Sequence, residues 1–375
     1  MKAALVALTF GLVSAAQQRP LPSHTDANNP RPPTANDDQQ EAERELQVGI
    51  ELTRHGSFQA AIPHLKLADG VATEIFVVKF NLGLCYLGVR QFQNAIRELE
   101  SIHANQQQMA TVKNILAQAY IGEHQQDKAF KAFEAAAAIT PRDERLYALV
   151  SDACLDEGFY RLGITVTDAG LRNLPNSARL FLQRGLLRSR LEEIAPAKQD
   201  FGRAAQLAPD SDVGYIAAVE DALSSGDIDT AIQKAREGVH KGHSHYMLLT
   251  MLGEALLRTG ITATTAAELA EAQGLLERAV SMQPGYASAQ ISLGKVYLIE
   301  DRLEDAIGHL ETARHLDPSN PAVYANLATA YRRNKQFDQL REVLAMLHEL
   351  NGQEAARIGS ATEGHNGIAA APPVQ

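Results

Sequence analysis

Small residues return along this chain at a fixed interval. They stand at Gly49, Gly83, Ala117, Ser151 and Gly185, and again at Gly253 and Gly294. The step is 34 residues, with Val219 in the slot between Gly185 and Gly253. A second series runs Ala61, Ala95, Ala129, Gly163, Ala197, Ala231, Ala272 and Ala306, and a third Pro141, Pro175, Pro209, Pro284 and Pro318. All three lengthen once, and at the same place: 253 to 294 and 231 to 272 are both 41. A seven-residue insertion near 261–267 accounts for every irregularity, and unrelated coincidences would not share one register slip. A length of 375 residues would otherwise suggest two or three unrelated globular domains of ~150 residues. The period replaces that reading with an array.

Within a unit the spacing is helical. In the second, Leu82, Tyr86 and Leu87 precede a turn, and Phe92, Ala95, Ile96 and Leu99 follow at i, i+3, i+4 and i+7. Thirty-four residues with a break in the middle (Gly56, Gly158, Gly226, Gly260) and a proline near the end fit two helices per unit. The small residues let antiparallel helices come close, and the large ones fill the space beside them. No unit of this size buries its own apolar face, so neighbours must stack.

The segments NLGLCYLGVRQFQNAIRELE (81–100), GYASAQISLGKVYLIEDRLEDAIGHLETARHLDPSNP (285–321) and AVYANLATAYRRNKQFD (322–338) resemble the tetratricopeptide repeat family. Nine units are counted, at 42–75, 76–109, 110–143, 144–177, 178–211, 212–245, 246–286, 287–320 and 321–354. The family's first-helix Trp is absent throughout, and unit six keeps little beyond Gly226 and Ala231. The resemblance implies an all-α fold, a right-handed α-α superhelical solenoid of nine helix pairs completing about one superhelical turn. First helices would line its concave wall and second helices its convex one.

The ends read differently. Lys2, the apolar run Ala3–Val13 and the small residues Ser14, Ala15 and Ala16 have the order of a secretory signal peptide over 1–16. Eleven apolar residues rise only ~16 Å as a helix, short of a membrane core. The expected location is therefore periplasmic or extracellular, with no stable membrane span once the signal is removed. Five prolines between Gln17 and Glu41 predict an extended linker, and the Gly-rich tail 355–375 is expected not to pack. Helix is expected to stop at Gly359. The last second helix carries Leu340, Leu344 and Leu347 at an open end, which docking of the tail, a partner protein or a two-fold dimer would each cover; the expectation is a weak homodimer through these three.

Composition and motifs exclude more than they assign. Thirty-five basic against 45 acidic residues leave a net charge of −10 with no basic run, which argues against nucleic-acid binding. Two cysteines, Cys85 and Cys154, cannot make a disulfide framework; a whole unit separates them, and both read as small buried hydrophobes. No phosphate loop, zinc-protease helix or nucleophile elbow is present, and no cofactor is implied. Ser292 and Lys295 have Ser-x-x-Lys spacing but lack its companion motifs. His240, His243 and His245 form a weak metal candidate in the turn after unit six, with no carboxylate inside the cluster to orient a ring.

By the resemblance, the second, fifth, ninth, twelfth and thirteenth residues of each unit line the groove. Unit two gives Val77, Phe80, Leu84, Leu87 and Gly88, an apolar strip expected to be exposed unless a ligand covers it. Thr111, Asn114, Gln118 and Gly122 follow in unit three, Arg145 and Asp152 in unit four, and Arg179 and Leu186 in unit five. Lys295, Arg332 and Arg333 make the far end basic. The expected function is a non-enzymatic exported scaffold that binds protein or peptide segments in this groove. The alternatives are a self-assembling architectural protein and a metal-binding module built on HKGHSH.

Overall fold

The computed structural model describes residues 35–259 and 266–366. The signal sequence, the linker up to residue 34, Gly260, insertion residues 261–265 and residues 367–375 lie outside them. All regular structure among the described residues is helical, in nine pairs. The first five pairs are Ala35–Arg54 with Phe58–Ala68, Ile75–Gly88 with Phe92–Glu100, Gln106–Gly122 with Gln126–Ile139, Glu144–Asp156 with Tyr160–Asn173, and Ala178–Arg190 with Ile194–Leu207. The last four are Asp212–Ser224 with Ile228–His240, Tyr246–Thr259 with Ala266–Met282, Ala287–Ile299 with Leu303–Leu316, and Pro321–Arg333 with Phe337–Asn366. The chain forms two compact bodies, split between Pro209 and Asp210. The first holds units one to five and the second units six to nine.

Positions are counted here from 1 at the start of each unit. Position 8, in the first helix, is the small residue of the 34-step series. Its partner is position 24 of the second helix, seven residues later in unit seven. A Cβ added at Gly49 would lie 2.6 Å from Leu65, at Gly83 2.5 Å from Leu99, at Gly185 2.5 Å from Phe201 and at Gly294 2.7 Å from Leu310. The large side chain fills the place the small one leaves. In unit six the sizes are exchanged: Val219 stands at position 8 and Ala235 at position 24, both fully buried.

The turn between the two helices of a unit is set at position 15. Gly56, Gly158 and Gly226 have φ of 71°, 76° and 72° there, and Arg90, His124, Glu192, Asp301 and Lys335 adopt 56–62°. The left-handed residue ends the first helix, and the next residue's N–H turns back to a carbonyl five residues earlier. Examples are Ser57 to Leu52 at 2.9 Å, Gln91 to Tyr86 at 2.8 Å and Phe159 to Cys154 at 2.8 Å. This is a Schellman closure. Glycine takes the conformation without strain, whereas other L-residues meet their own Cβ, at ~1–2 kcal/mol.

Neighbouring units are fastened by two recurring hydrogen bonds. At position 4, where the family has Trp, the Tyr147 hydroxyl donates to the Pro141 carbonyl (2.8 Å), Tyr324 to Pro318 (2.7 Å) and the Gln290 amide to Pro284 (2.8 Å). Each reaches six residues back to the proline of the unit before. At position 11, Tyr297 donates to Glu277 of the preceding unit at 3.1 Å, and Tyr120 and Tyr331 do the same to Glu100 and Glu311. Burial and the neighbouring carboxylate push the Tyr120 phenol up to about 12. Units four and five share a third clasp. Arg184 donates to Asp200 through two nitrogens (2.9 and 2.6 Å) and to Asp168 (2.6 Å), while Arg188 reaches Asp200 at 2.7 Å.

Two boundaries differ from the sequence expectation. Helix begins at Ala35, inside the stretch 17–41 read as linker, because residues 35–41 carry acidic side chains in a first turn (Asp37, Asp38) and no proline. At the other end Gly352 and Gly359 do not stop the last helix, which continues to Asn366 rather than ending near 354. A lone glycine lowers helix stability by only ~1 kcal/mol and does not forbid the conformation.

Gly226 has nothing within 4 Å of an added Cβ, so Gly226→Ala tests the left-handed turn alone. It should cost about 1–2 kcal/mol in urea denaturation. Asp200→Ala, which leaves Arg184 and Arg188 without their shared buried carboxylate, should cost more, about 3–5 kcal/mol.

Candidate functional site: the first-helix wall

The apolar strip expected in unit two is not exposed. Phe80 is 4% accessible, Leu84 and Leu87 are fully buried, and only Val77 is half-buried. The helix Ile75–Gly88 packs against both helices of unit one, its own second helix and the first helix of unit three. Neighbours on that many sides are what a helix apolar all round requires. Gly88 and Gly122, also placed on the wall by the sequence, abut the rings of Phe58 and Phe92 from the preceding units. An Asp substituted for Phe80 would thus damage the core, and it does not probe binding.

Farther along the first body the wall becomes polar. Asn114 and Gln118 are buried, at 3% and 2% exposure, and form a short ladder. Asn114 donates to the Leu146 carbonyl of unit four at 3.1 Å, and Gln118 donates to the Asn114 side-chain oxygen at 2.7 Å. Gln183 of unit five likewise donates to the Ala148 carbonyl (3.1 Å) and to Asp152 (2.5 Å), with Arg179 3.6 Å from the same carboxylate. Burial raises the Asp152 carboxyl, against the opposing pull of Arg179. Asp152, Arg179 and Leu186 are half-buried and Arg145 is exposed.

Three of the expected groove residues, Thr111, Asn114 and Arg145, meet in one cleft. It has a volume of about 400 Å³, between the first helices of units three and four. Gln108, Thr140, Asp143 and Leu149 are among its other lining residues. Local capping builds its rim: Asn105 accepts from the Gln108 amide at 3.0 Å and Asp143 from the Arg145 amide at 3.1 Å. The sequence signal for this place was positional, since Thr111 and Arg145 are both second residues of consecutive units.

The second body offers a cleft of about 580 Å³, lined by Ile232, Gln233, Arg236, Glu237, His240 and Leu256 among others. It lies mainly along the second helix of unit six, away from the expected groove positions, and nothing in the sequence pattern marked it. Its charges are largely engaged. Arg236 pairs with Glu271 through two nitrogens (3.0 and 2.5 Å), and Lys234 and Lys241 hold the Glu237 carboxyl below its usual range. We give more weight to the smaller cleft, because two consecutive repeats present equivalent positions to it.

At the basic end Lys295 and Arg332 are exposed, but Arg333 is committed. Its guanidinium donates to the Leu298 carbonyl at 2.6 Å and to Asp301 at 2.7 Å, tying unit nine to the end of a helix in unit eight. Ser292 is buried and donates to Glu254 at 2.9 Å, so it is no nucleophile beside Lys295.

The three histidines do not converge. His243 is paired with Asp212 at 3.0 Å, His245 accepts from the Met247 amide at 3.3 Å, and His240 is exposed at a helix end. The carboxylate that orients the His243 ring comes from outside the cluster, from the first helix of unit six. No cluster of His, Cys, Asp or Glu among the described residues has the arrangement of a metal site.

Cys85 and Cys154 are free and buried. Burial pushes both thiols up to about 12, and Cys85 lies 3.1 Å from the Thr53 hydroxyl. A thiol reagent at pH 8 should find neither until denaturant is added and then titrate two, as counted by absorbance of the released thiolate.

No helix among the described residues is long and apolar enough to cross a membrane. Comparison with known proteins bears on the repeat itself. Two family models described as tetratricopeptide repeat match residues 263–321 and 297–361. The TPR repeat-containing protein YpiA of Bacillus subtilis (strain 168) is 22% identical over 161 residues, which are 43% of this chain and 35% of that protein. The chain thus spans about a third of that relative's length. The crystal structure of yeast Tom70 superposes with a TM-score of 0.53 at 14% identity, covering 94% of this chain and 70% of that one. A chain of the APC/C hetero-tetramer Cut9-Hcn1 gives 0.49 at 14% identity, covering 84% and 75%. The family models thus identify tetratricopeptide repeats over residues 263–361, and the 34-residue period and the paired helices carry the same pattern through the other units.

Proposed function

We propose that this chain is an exported, non-enzymatic scaffold that holds a protein segment against the first-helix wall of its first body. The repeats support a role in protein–protein interaction. The observation that carries the finer reading is the cleft of about 400 Å³ where Thr111, Asn114 and Arg145 come together from consecutive units. A bound segment would find polar side chains at the rim and Leu149 at the floor, the mixture by which a groove fixes an extended chain. Arg145 supplies the cationic contact: its side chain is 60% exposed and lies 3.5 Å from Asp143, too loosely held to be withdrawn from a ligand.

A displayed peptide library panned on the protein tests this. Peptides retained by the wild type should bind Arg145→Glu about tenfold more weakly, a loss of ~1.4 kcal/mol, with helicity unchanged. Equal retention by both would move the binding surface elsewhere.

Export rests on the order of Lys2, Ala3–Val13 and Ala15–Ala16. The amino terminus of the protein recovered outside the cytoplasm should lie near Gln17. A cytoplasmic species retaining Met1 as the main form would refute it.

A further inference from the structure

The first helix of unit four, Glu144–Asp156, ends against its own dipole. Asp156 is its last residue, Glu157 its cap and Asp152 stands one turn earlier, while the last turn holds no basic residue. The carboxyl end of a helix is its negative pole and favours cations. Other first helices supply them: Arg54 in unit one, Arg188 and Arg190 in unit five, Arg332 and Arg333 in unit nine.

Two of the three carboxylates are answered from other units. Glu157 meets Arg90 of unit two at 2.8 Å. Asp152 accepts from Gln183 of unit five, with Arg179 3.6 Å away. Asp156, accessible at position 13, has no hydrogen bond or salt bridge among the described residues. Desolvation, with the carboxylates of Asp152 and Glu157 beside it, pushes its carboxyl up to about 6. A cation that reached it would relieve that strain.

The same stretch of wall is short of donors. Gln183 is 6% exposed, and its side-chain nitrogen serves the Ala148 carbonyl and Asp152. Its carbonyl oxygen, on the same planar amide and so beside the Asp152 carboxylate, is buried with no donor. Gln118 holds position 9 in unit three as Asp152 does in unit four; it is 2% exposed, and its carbonyl oxygen has no donor either. Buried acceptors are ordinarily answered, because leaving one without a donor is costly.

We propose that this end of the wall receives a lysine or arginine side chain of the bound segment, held between Asp156, Asp152 and the Gln183 carbonyl oxygen. The inference rests on the first-helix wall being the peptide site and specifies the ligand of that site. An ammonium or guanidinium group brings charge and donors together, and this place lacks both. A metal ion is the poorer occupant, since the described residues offer no group of three side chains able to hold one. Arg145 lies on the same helix, seven residues before Asp152 and eleven before Asp156. At 1.5 Å of rise per residue, the anionic and cationic contacts of the ligand are about 11–17 Å apart. An extended chain covers that in about three to five residues. The segment therefore carries Asp or Glu at one contact and Lys or Arg at the other, at that spacing.

The displayed peptide library, panned in parallel on the full wild-type chain, Asp156→Asn and Arg145→Glu, tests this. Peptides enriched on the wild type should carry the acidic and basic pair and bind Asp156→Asn about tenfold more weakly, with helicity unchanged. Selection on Asp156→Asn should lose the basic residue and keep the acidic one. That variant should also melt no lower than the wild type, because it removes a negative charge from a helix carboxyl end. Wild-type peptides without a basic residue, undiminished binding to Asp156→Asn, or a lower melting point each overturn the proposal. Retention that requires added calcium overturns it too, by making the occupant a metal ion. If Arg145→Glu weakens binding and Asp156→Asn does not, the wall remains the peptide site and this inference alone falls. A wild-type selection that enriches nothing overturns both.

Discussion

Each unit is held shut by a side chain from its second helix lying where its first helix has almost none. A Cβ at Gly49, Gly83 or Gly185 would come within 2.5–2.6 Å of Leu65, Leu99 or Phe201, so the two axes are as close as helices with side chains between them can be. That closeness leaves the remaining faces of both helices for the adjacent units, and the second contact becomes inter-unit rather than internal. Everything larger follows: the stacking, the apolar cores, and the alignment of first helices whose second and fifth residues make the cleft. What matters at positions 8 and 24 is combined volume. Val219 with Ala235 satisfies the requirement in reverse order, which explains why unit six loses the pattern and keeps the fold.

Much of this was legible from spacing alone. Helix pairs, their order and the burial of both cysteines follow from the period and from the residue types. The mid-unit turn was only half legible. Glycine announces it at 56, 158 and 226, but Arg90, His124, Glu192, Asp301 and Lys335 adopt the same φ with no such signal. At those five places the Schellman hydrogen bonds and packing on both sides impose a conformation the residue itself disfavours. The missing Trp was similarly opaque. Only the structure shows that Tyr147, Gln290 and Tyr324 substitute by bonding to a carbonyl six residues back.

The groove was read least well, for a definite reason. Positions 2, 5, 9, 12 and 13 name directions on a helix, whereas exposure depends on how closely the flanking helices approach. In unit two the approach is tight enough to bury Phe80, Leu84 and Leu87, and in unit three the same positions carry Asn114 and Gln118, equally buried but spent on an inter-unit ladder. Unit four is the lightest in the series, with Ser151, Gly163, Thr167 and Gly170 at positions 8, 20, 24 and 27 and no hydrogen-bond partner for the Ser151 hydroxyl. It borders the cleft.

Repeat arrays lengthen when a unit is copied within the gene, and each copy survives only if both of its faces find a match. In this chain positions 20 and 27, which at Gly163, Gly170 and Gly238 abut the first helix of the next unit, carry Ala or Gly in units one to eight except for Ile102, and leucine at Leu340 and Leu347. A duplicate inserted anywhere upstream inherits a fitting surface on either side. One appended after unit nine inherits none. Two leucines thus set where a copied unit fits: upstream of unit nine rather than directly against its second helix.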